Sequence, residues 1–227
     1  PNHIIASCGE TPGGGEFTYG TGIIQSFDRG ETWDIMYTFP AQDYPDVVKI
    51  IYDKSDTNPN DGLTLYAITL EKIYYSTDSG NSWCQIPNPT NFPYYVIDAS
   101  LIQIGLGQLH YHDVISTENG ELIISFNGRW GFIGQLYKLT NPTNCASPNW
   151  IRLSGGFGQE FQHGKLTESD NGLIYFYALF DDTKRRLCKT VDFGQTWEIS
   201  TILPGVGASN RDEVFHIPGT NQVFYSD

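Results

Sequence analysis

Positive charge is scarce in this chain. Its 227 residues carry 13 Lys and Arg against 26 Asp and Glu, a net charge of −13. A surface this acidic repels phosphate backbones and anionic lipid, which excludes nucleic acid and membrane surfaces as partners. Long apolar runs are missing too. No stretch of about 18 apolar residues exists to span a membrane. The chain starts at Pro1 without a basic-then-apolar leader, so any targeting segment is expected to have been removed or left out. Helical signals are absent: no ten-residue stretch combines helical periodicity with caps. Charged residues make up only 17 % and aromatics 14 %, a balance opposite to that of disordered chains. No G-x-S-x-G, Walker loop, H-E-x-x-H, Rossmann fingerprint, paired C-x-x-C or glycosylation sequon occurs.

What the chain has is turn formers mixed with β-favouring aromatics: 24 Gly, 12 Pro, 14 Tyr and 13 Phe. That mixture reads as many short strands. It also has a repeat. Residues 26–33, 76–83 and 190–197 share the form [ST]-x-D-x-G-x-[ST]-W. The repeated residues are Ser26, Asp28, Gly30 and Trp33; Ser76, Asp78, Gly80 and Trp83; and Thr190, Asp192, Gly194 and Trp197. The physics is that of a hairpin corner. The Asp accepts bonds from the backbone that follows it. The Gly supplies positive φ. The Trp opens the returning strand and buries a large ring. A degenerate fourth copy, residues 144–150, keeps Trp150 and loses the Asp and Gly. The four Trp are then spaced by 50, 67 and 47 residues, about the length of a four-stranded unit.

The repeat resembles the Asp-box, or BNR repeat, of sialidases, sortilin-type receptor domains and xyloglucanase-like glycoside hydrolases. The resemblance implies an all-β fold, a β-propeller of four-stranded antiparallel blades with a box in each strand 3–4 turn. It is specific for fold and not for function. Three blades then fall at residues 46–86, 113–153 and 165–200. Residues 3–8, 22–27 and 33–39 supply the second, third and fourth strands of a first blade. Residues 213–217 and 222–226 supply one or two more. If a C-terminal strand completes the first blade, the ring closes at four blades. The spare strand leaves a fifth blade or a piece of a longer chain open. Residues 1–227 are read as a single domain.

In such a propeller the boxes sit opposite the usual ligand face, so their aspartates are expected to be structural. The first strands line the channel. A gapless alignment of their starts sets Asp46, Asp113, Gly164 and Glu213 level. It places Asp46, Tyr111, His112, Asp113, His163, Arg211 and Asp212 at the channel mouth. Nearby loops add Glu10, Glu16, Tyr19, Arg129, Trp130, Asp181, Asp182 and Lys184. His112 and His163 are candidate ligands for a divalent cation in the channel. Trp130, Tyr19, Tyr111 and Arg129 are candidates for a sugar platform. An Asp at a strand start bonding local backbone is the plainer reading of Asp46 and Asp113.

The sialidase likeness implies an arginine triad, a Tyr–Glu nucleophile pair and an early Arg-Ile-Pro motif. The motif is missing, and only six arginines exist, with Arg29 inside a box. No catalytic residue is assigned. The expectation is a non-catalytic, extracellular or cell-surface module that binds carbohydrate or protein or serves in assembly, including a homo-oligomer through the C-terminal strand. The alternative is a glycoside hydrolase using Asp46, Asp113 or Asp212. Cys8, Cys84, Cys145 and Cys188 allow three pairings or buried free thiols, and both stay open.

Overall fold

A computed structural model describes residues 3–8, 22–40, 47–57, 62–69, 71–89, 110–127, 134–153, 161–180, 184–203, 213–220 and 222–226. The described residues form seventeen strands in five antiparallel sheets and no helix. Sheet one holds β1 (Ile4–Cys8), β2 (Gly22–Ser26) and β3 (Asp34–Tyr37). Sheet two runs β4 (Val47–Tyr52), β5 (Leu65–Thr69), β6 (Ile73–Ser76) and β7 (Cys84–Ile86). Sheet three runs β8 (His110–Ser116), β9 (Leu122–Asn127), β10 (Gln135–Leu139) and β11 (Trp150–Arg152). Sheet four runs β12 (Phe161–Glu168), β13 (Ile174–Phe180), β14 (Arg185–Thr190) and β15 (Glu198–Leu203). Sheet five is the hairpin β16 (Glu213–His216) and β17 (Val223–Ser226). Two strands start three or four residues earlier than expected. β8 begins at His110 rather than 113, and β12 at Phe161 rather than 165.

Each sheet meanders, with strands that follow one another in sequence paired antiparallel. The first strands β4, β8, β12 and β16 lie side by side, and the sheets stack about them in a propeller-like order. Each seam between neighbouring sheets carries its own apolar core. Ile23, Phe39, Ala67 and Tyr74 fill the first seam. Tyr66, Ile68, Val114, Ile124 and Phe126 are among those filling the second. Phe161, Phe176, Phe180 and Trp197 are in the third. Tyr177, Leu187 and Val214 form the fourth. Both faces of sheets two to four are covered. That is why β5 and β10 are buried along their whole length instead of alternating in and out.

The three repeated corners share one hydrogen-bond pattern. At the second, Asp78 accepts from the Ser82 amide at 2.8 Å and the Ser82 hydroxyl at 2.6 Å. The Ser76 hydroxyl donates to Asp78 at 2.7 Å and accepts from the Gly80 amide at 2.8 Å. Asp28 with Thr32 and Ser26, and Asp192 with Thr196 and Thr190, repeat this. Each Trp Nε1 then closes the corner on its own glycine carbonyl: Trp33 on Gly30 at 3.0 Å, Trp83 on Gly80 at 2.9 Å and Trp197 on Gly194 at 3.1 Å. The backbone pattern differs from the expectation in one respect. The residue before each glycine is also left-handed, with φ of 66° at Arg29, 58° at Ser79 and 54° at Phe193. Side chains resist that region, so the Asp and hydroxyl bonds must over-determine it.

These bonds make the corners acid-sensitive. The Thr32 hydroxyl, then the Thr32 amide and the Ser26 hydroxyl, hold Asp28 far below the usual carboxylate range. The Ser82 hydroxyl and amide likewise lower Asp78. Burial pushes Asp192 upward, but the bonds from Thr196 and Thr190 outweigh it and leave the carboxyl at about 2. A carboxylate with a lowered folded pKa contributes stability above its unfolded value near 4, and loses it as pH falls through the folded value. The melting temperature is therefore expected to fall between about pH 4 and pH 2. Asp192→Asn should start lower at pH 6 and show a shallower fall. An unchanged slope in thermal melts across that range would contradict this.

The fourth corner is built differently. Asn141 Oδ1 accepts from the Asn149 amide at 2.5 Å, and Asn141 Nδ2 donates to the Ser147 carbonyl at 2.9 Å. Asn144 Oδ1 accepts from the amides of Ala146 and Ser147. A disulfide joins Cys84 to Cys145, with Cα atoms 6.4 Å apart. Cys188 is a buried free thiol, which burial pushes up to about 12. At the chain ends, β17 pairs with β16 and β1 with β2. No ladder among the described residues joins β16 or β17 to sheet one, so the expected completion of the first blade is not seen there.

Candidate functional site

The first strands each end on a backbone bond to the second strand's side of the hairpin, which gives a common reference for their register. The amides of Asp53, Thr117, Ser169 and Ile217 each close the first hairpin turn of their sheet. Four residues before each of these stand Lys49, Asp113, Lys165 and Glu213. The inner strands thus carry a level of alternating charge. Lys49 Nζ lies 2.7 Å from Asp113 Oδ1, and Lys165 Nζ lies 3.2 Å from Glu213 Oε1. One turn lower, Lys54 pairs with Glu168, and its amide donates to the Ser116 hydroxyl at 3.1 Å.

Asp113 sits at the junction of three sheets. Its Oδ1 accepts from Lys49 on β4 and from the Val114 amide at 2.8 Å. Its Oδ2 accepts from the Leu166 amide on β12 at 2.7 Å. The side chain is 5 % exposed. Nearby, the Ser125 hydroxyl donates to the Gly164 carbonyl at 2.6 Å, a second tie between sheets three and four. Both carboxylate oxygens are therefore spent on bracing.

This register corrects the gapless alignment. Lys49, not Asp46, is level with Asp113, and Lys165 rather than Gly164 is its counterpart on β12. Counted back from the first hairpin bonds, the gapless alignment runs three residues out on β4 and one on β12; β4, β8 and β12 each also carry a bulge near the start, at Val48, His112 and Gln162. A bulge adds one residue without a sequence mark and breaks the period of two.

The structure brings together few of the other candidates. Tyr111 is 1 % exposed, and its hydroxyl donates to Asn88 Oδ1 at 2.6 Å. Burial raises its pKa, and the ring packs 4.6 Å from Phe126 in the second seam. His112 is half-buried at the β8 bulge. His163 lies on β12 opposite Leu179, and its side chain is outside the described residues. Asp46, Arg129, Trp130, Arg211, Asp212, Glu10, Glu16, Tyr19, Asp181 and Asp182 also lie outside them. Lys184 is exposed just before β14. Among the described residues no three His, Cys, Asp or Glu side chains come together to hold a metal ion. The sequence reading set Glu213 level with Asp113 but passed over Lys49 and Lys165, and the alternation in sign of the four was the available signal.

Fold and site together define an all-β, propeller-like protein with a braced, charged axis. No protein-family profile matches the chain. The xyloglucanase Xgh74A of Acetivibrio thermocellus is 27 % identical over 157 residues, which is 60 % of this chain and 16 % of that enzyme. The chain thus spans under a fifth of the length of the curated relative it matches. A protein of unknown function from Dyadobacter fermentans has a similar structure, with a TM-score of 0.52 at 14 % identity over 99 % of this chain and 71 % of that one. YCF48 from Cyanidioschyzon merolae gives a TM-score of 0.48 at 15 % identity, over 91 % of this chain and 58 % of that one.

Proposed function

We propose that the chain is an Asp-box β-propeller module that binds carbohydrate or protein outside the cell without catalysing a reaction. The observation that carries this reading is Asp113. Of the three carboxylates open to glycoside hydrolysis, it is the one in the described residues, and its two oxygens are engaged by one ammonium and two backbone amides. A buried carboxylate so held is engaged in bracing the sheets and is not presented to a substrate. The corner aspartates are spent on their turns in the same way. The Cys84–Cys145 disulfide supports an extracellular setting. The expected ligand face, with His112, His163, Arg211, Asp212, Arg129 and Trp130 as its candidates, is the first place to seek a ligand or a cation. Assembly belongs to the same reading. Among the described residues β17 pairs on one edge only, beside exposed Phe224 and Tyr225, which leaves room for a second copy.

The test is to incubate the chain with xyloglucan and a panel of aryl glycosides, and in parallel to screen binding on a glycan array. Binding without turnover is the expected result. Hydrolysis that disappears in Asp46→Asn or Asp212→Asn would overturn the proposal in favour of a glycoside hydrolase, which the partial likeness to a xyloglucanase keeps in view.

A further inference from the structure

Intact corners close tightly on the sheet before them. A Cβ added to Gly80 would meet the Met36 sulfur at 2.5 Å, one step before the end of β3. A Cβ on Gly194 would meet a Leu153 methyl at 2.7 Å, just past β11. In both cases the corner lies flush against the last strand of the preceding sheet. The fourth corner has no such glycine. Its Trp150 Nε1 turns away from its own corner and donates to the Pro87 carbonyl at 2.9 Å, across the seam to sheet two. Between the corner and residues 87–89 a pocket of about 410 Å³ opens. That volume falls within the range of small-molecule sites.

The walls are fixed from both sides. The Cys84–Cys145 disulfide and the Trp150 bond tie them together. Asn88 is held by the Glu71 carbonyl and the Tyr111 hydroxyl. Asn141 and Asn144 fix the backbone of the opposite wall. Tyr137 crosses Trp150 at 83°, with ring centroids 6.1 Å apart. Polar capacity remains on this frame. Asn88 keeps one N–H and one lone pair beyond its two bonds, and Asn149 keeps its Oδ1 after donating to Thr140. The Ser147 hydroxyl makes no bond among the described residues. No lining residue is charged, in a chain of net −13.

We propose that this pocket binds a neutral saccharide, with a sugar face against Trp150 and hydroxyls on Asn88, Ser147 and Asn149. An ionic ligand would find no counter-charge there. Amide and hydroxyl groups both donate and accept, as sugar hydroxyls do, and an indole offers the flat apolar surface that a ring's C–H face requires. A wall already fixed in place lowers the ordering cost of binding. The site lies on the outer seam beside the outermost strands β7 and β11 and gives a place to the carbohydrate arm of the proposed function, on which it rests.

The experiment titrates the full chain with cellobiose, mannobiose and maltotriose, following Trp fluorescence and calorimetry. Ser147→Ala and Asn149→Ala change exposed side chains and are expected to leave the fold intact, checked by circular dichroism. The expected result is saccharide binding that each change weakens about tenfold, with a Trp signal lost in Trp150→Phe. Saccharide binding unaffected by Ser147→Ala and Asn149→Ala would place the sugar elsewhere and overturn the proposal. So would no saccharide binding at millimolar concentration, or binding of a proline-rich peptide in its place. Turnover of aryl glycosides would sink the non-catalytic reading alone, because these variants report binding.

Discussion

Replacing Asp113 by alanine is expected to cost about 3 kcal/mol of stability and lower the melting temperature by roughly 6–12 °C. The change leaves the buried Leu166 amide without its acceptor, and an orphaned buried amide alone costs about 1–3 kcal/mol. It also strands the Lys49 ammonium. Lys49 is 36 % exposed and regains some water, which holds the figure at the low end for a broken buried pair. Asp113→Asn should fall between wild type and alanine. Its carbonyl can serve Leu166, but its amide nitrogen then meets the donors Lys49 and Val114. Lys49→Ala should cost less than either, because Asp113 keeps both backbone partners. Urea unfolding of the three variants checks the order. Asp113→Ala within 1 kcal/mol of wild type would show that the carboxylate does not brace the axis.

Most of the sheet frame was legible because its signals are local. The Asp and Gly of each corner, and the Trp after it, mark where a third strand ends and a fourth begins. Counting back from Trp83, Trp150 and Trp197 recovers the strands of sheets two to four. What was not legible depends on geometry that leaves no mark in composition. The bulges at Val48, His112 and Gln162 involve neither glycine nor proline, and the distance from each strand's start to its first turn is set by pairing, so a gapless alignment of the starts put Asp46 in the place of Lys49. The left-handed Arg29, Ser79 and Phe193 follow from bonds made by neighbours three or more residues along.

The outer seam was hidden for a related reason. The degenerate copy showed that an Asp and a Gly had gone, but not that Asn141, outside the repeat window, had taken over part of the turn. Nor did it show that Trp150 reaches for Pro87, 63 residues away in sequence. Tyr111 illustrates the converse error. Its position at the start of a first strand suggested an exposed platform, yet the ring fills the second seam, because tightly stacked sheets bury even the ends of their inner strands.

Breaking the Cys84–Cys145 bond is expected to have an effect as large as losing Asp113. The two residues are 61 apart in sequence, and closing a loop of that size restricts the unfolded chain by about 4 kcal/mol in the chain-entropy picture. Measured losses usually fall short of that figure, so Cys145→Ser should destabilise by about 3 kcal/mol under oxidising conditions. The bond and Asp113 clamp the same pair of sheets from opposite edges. Cys84 lies on the outermost strand β7, and Lys49–Asp113 joins the innermost strands β4 and β8. Between the clamps lies the apolar core of the second seam, with Tyr66, Ile68, Val114 and Phe126 buried. Neither edge can open far without exposing that core, so the seam should yield as a unit. The double variant Asp113→Ala with Cys145→Ser should then lose close to the sum of the single losses, as distant sites without shared partners do. Cys84→Ser should match Cys145→Ser, and a reductant should lower the wild type to their level. If reductant leaves the wild-type melt unchanged, the two thiols are not joined and the outer clamp does not exist.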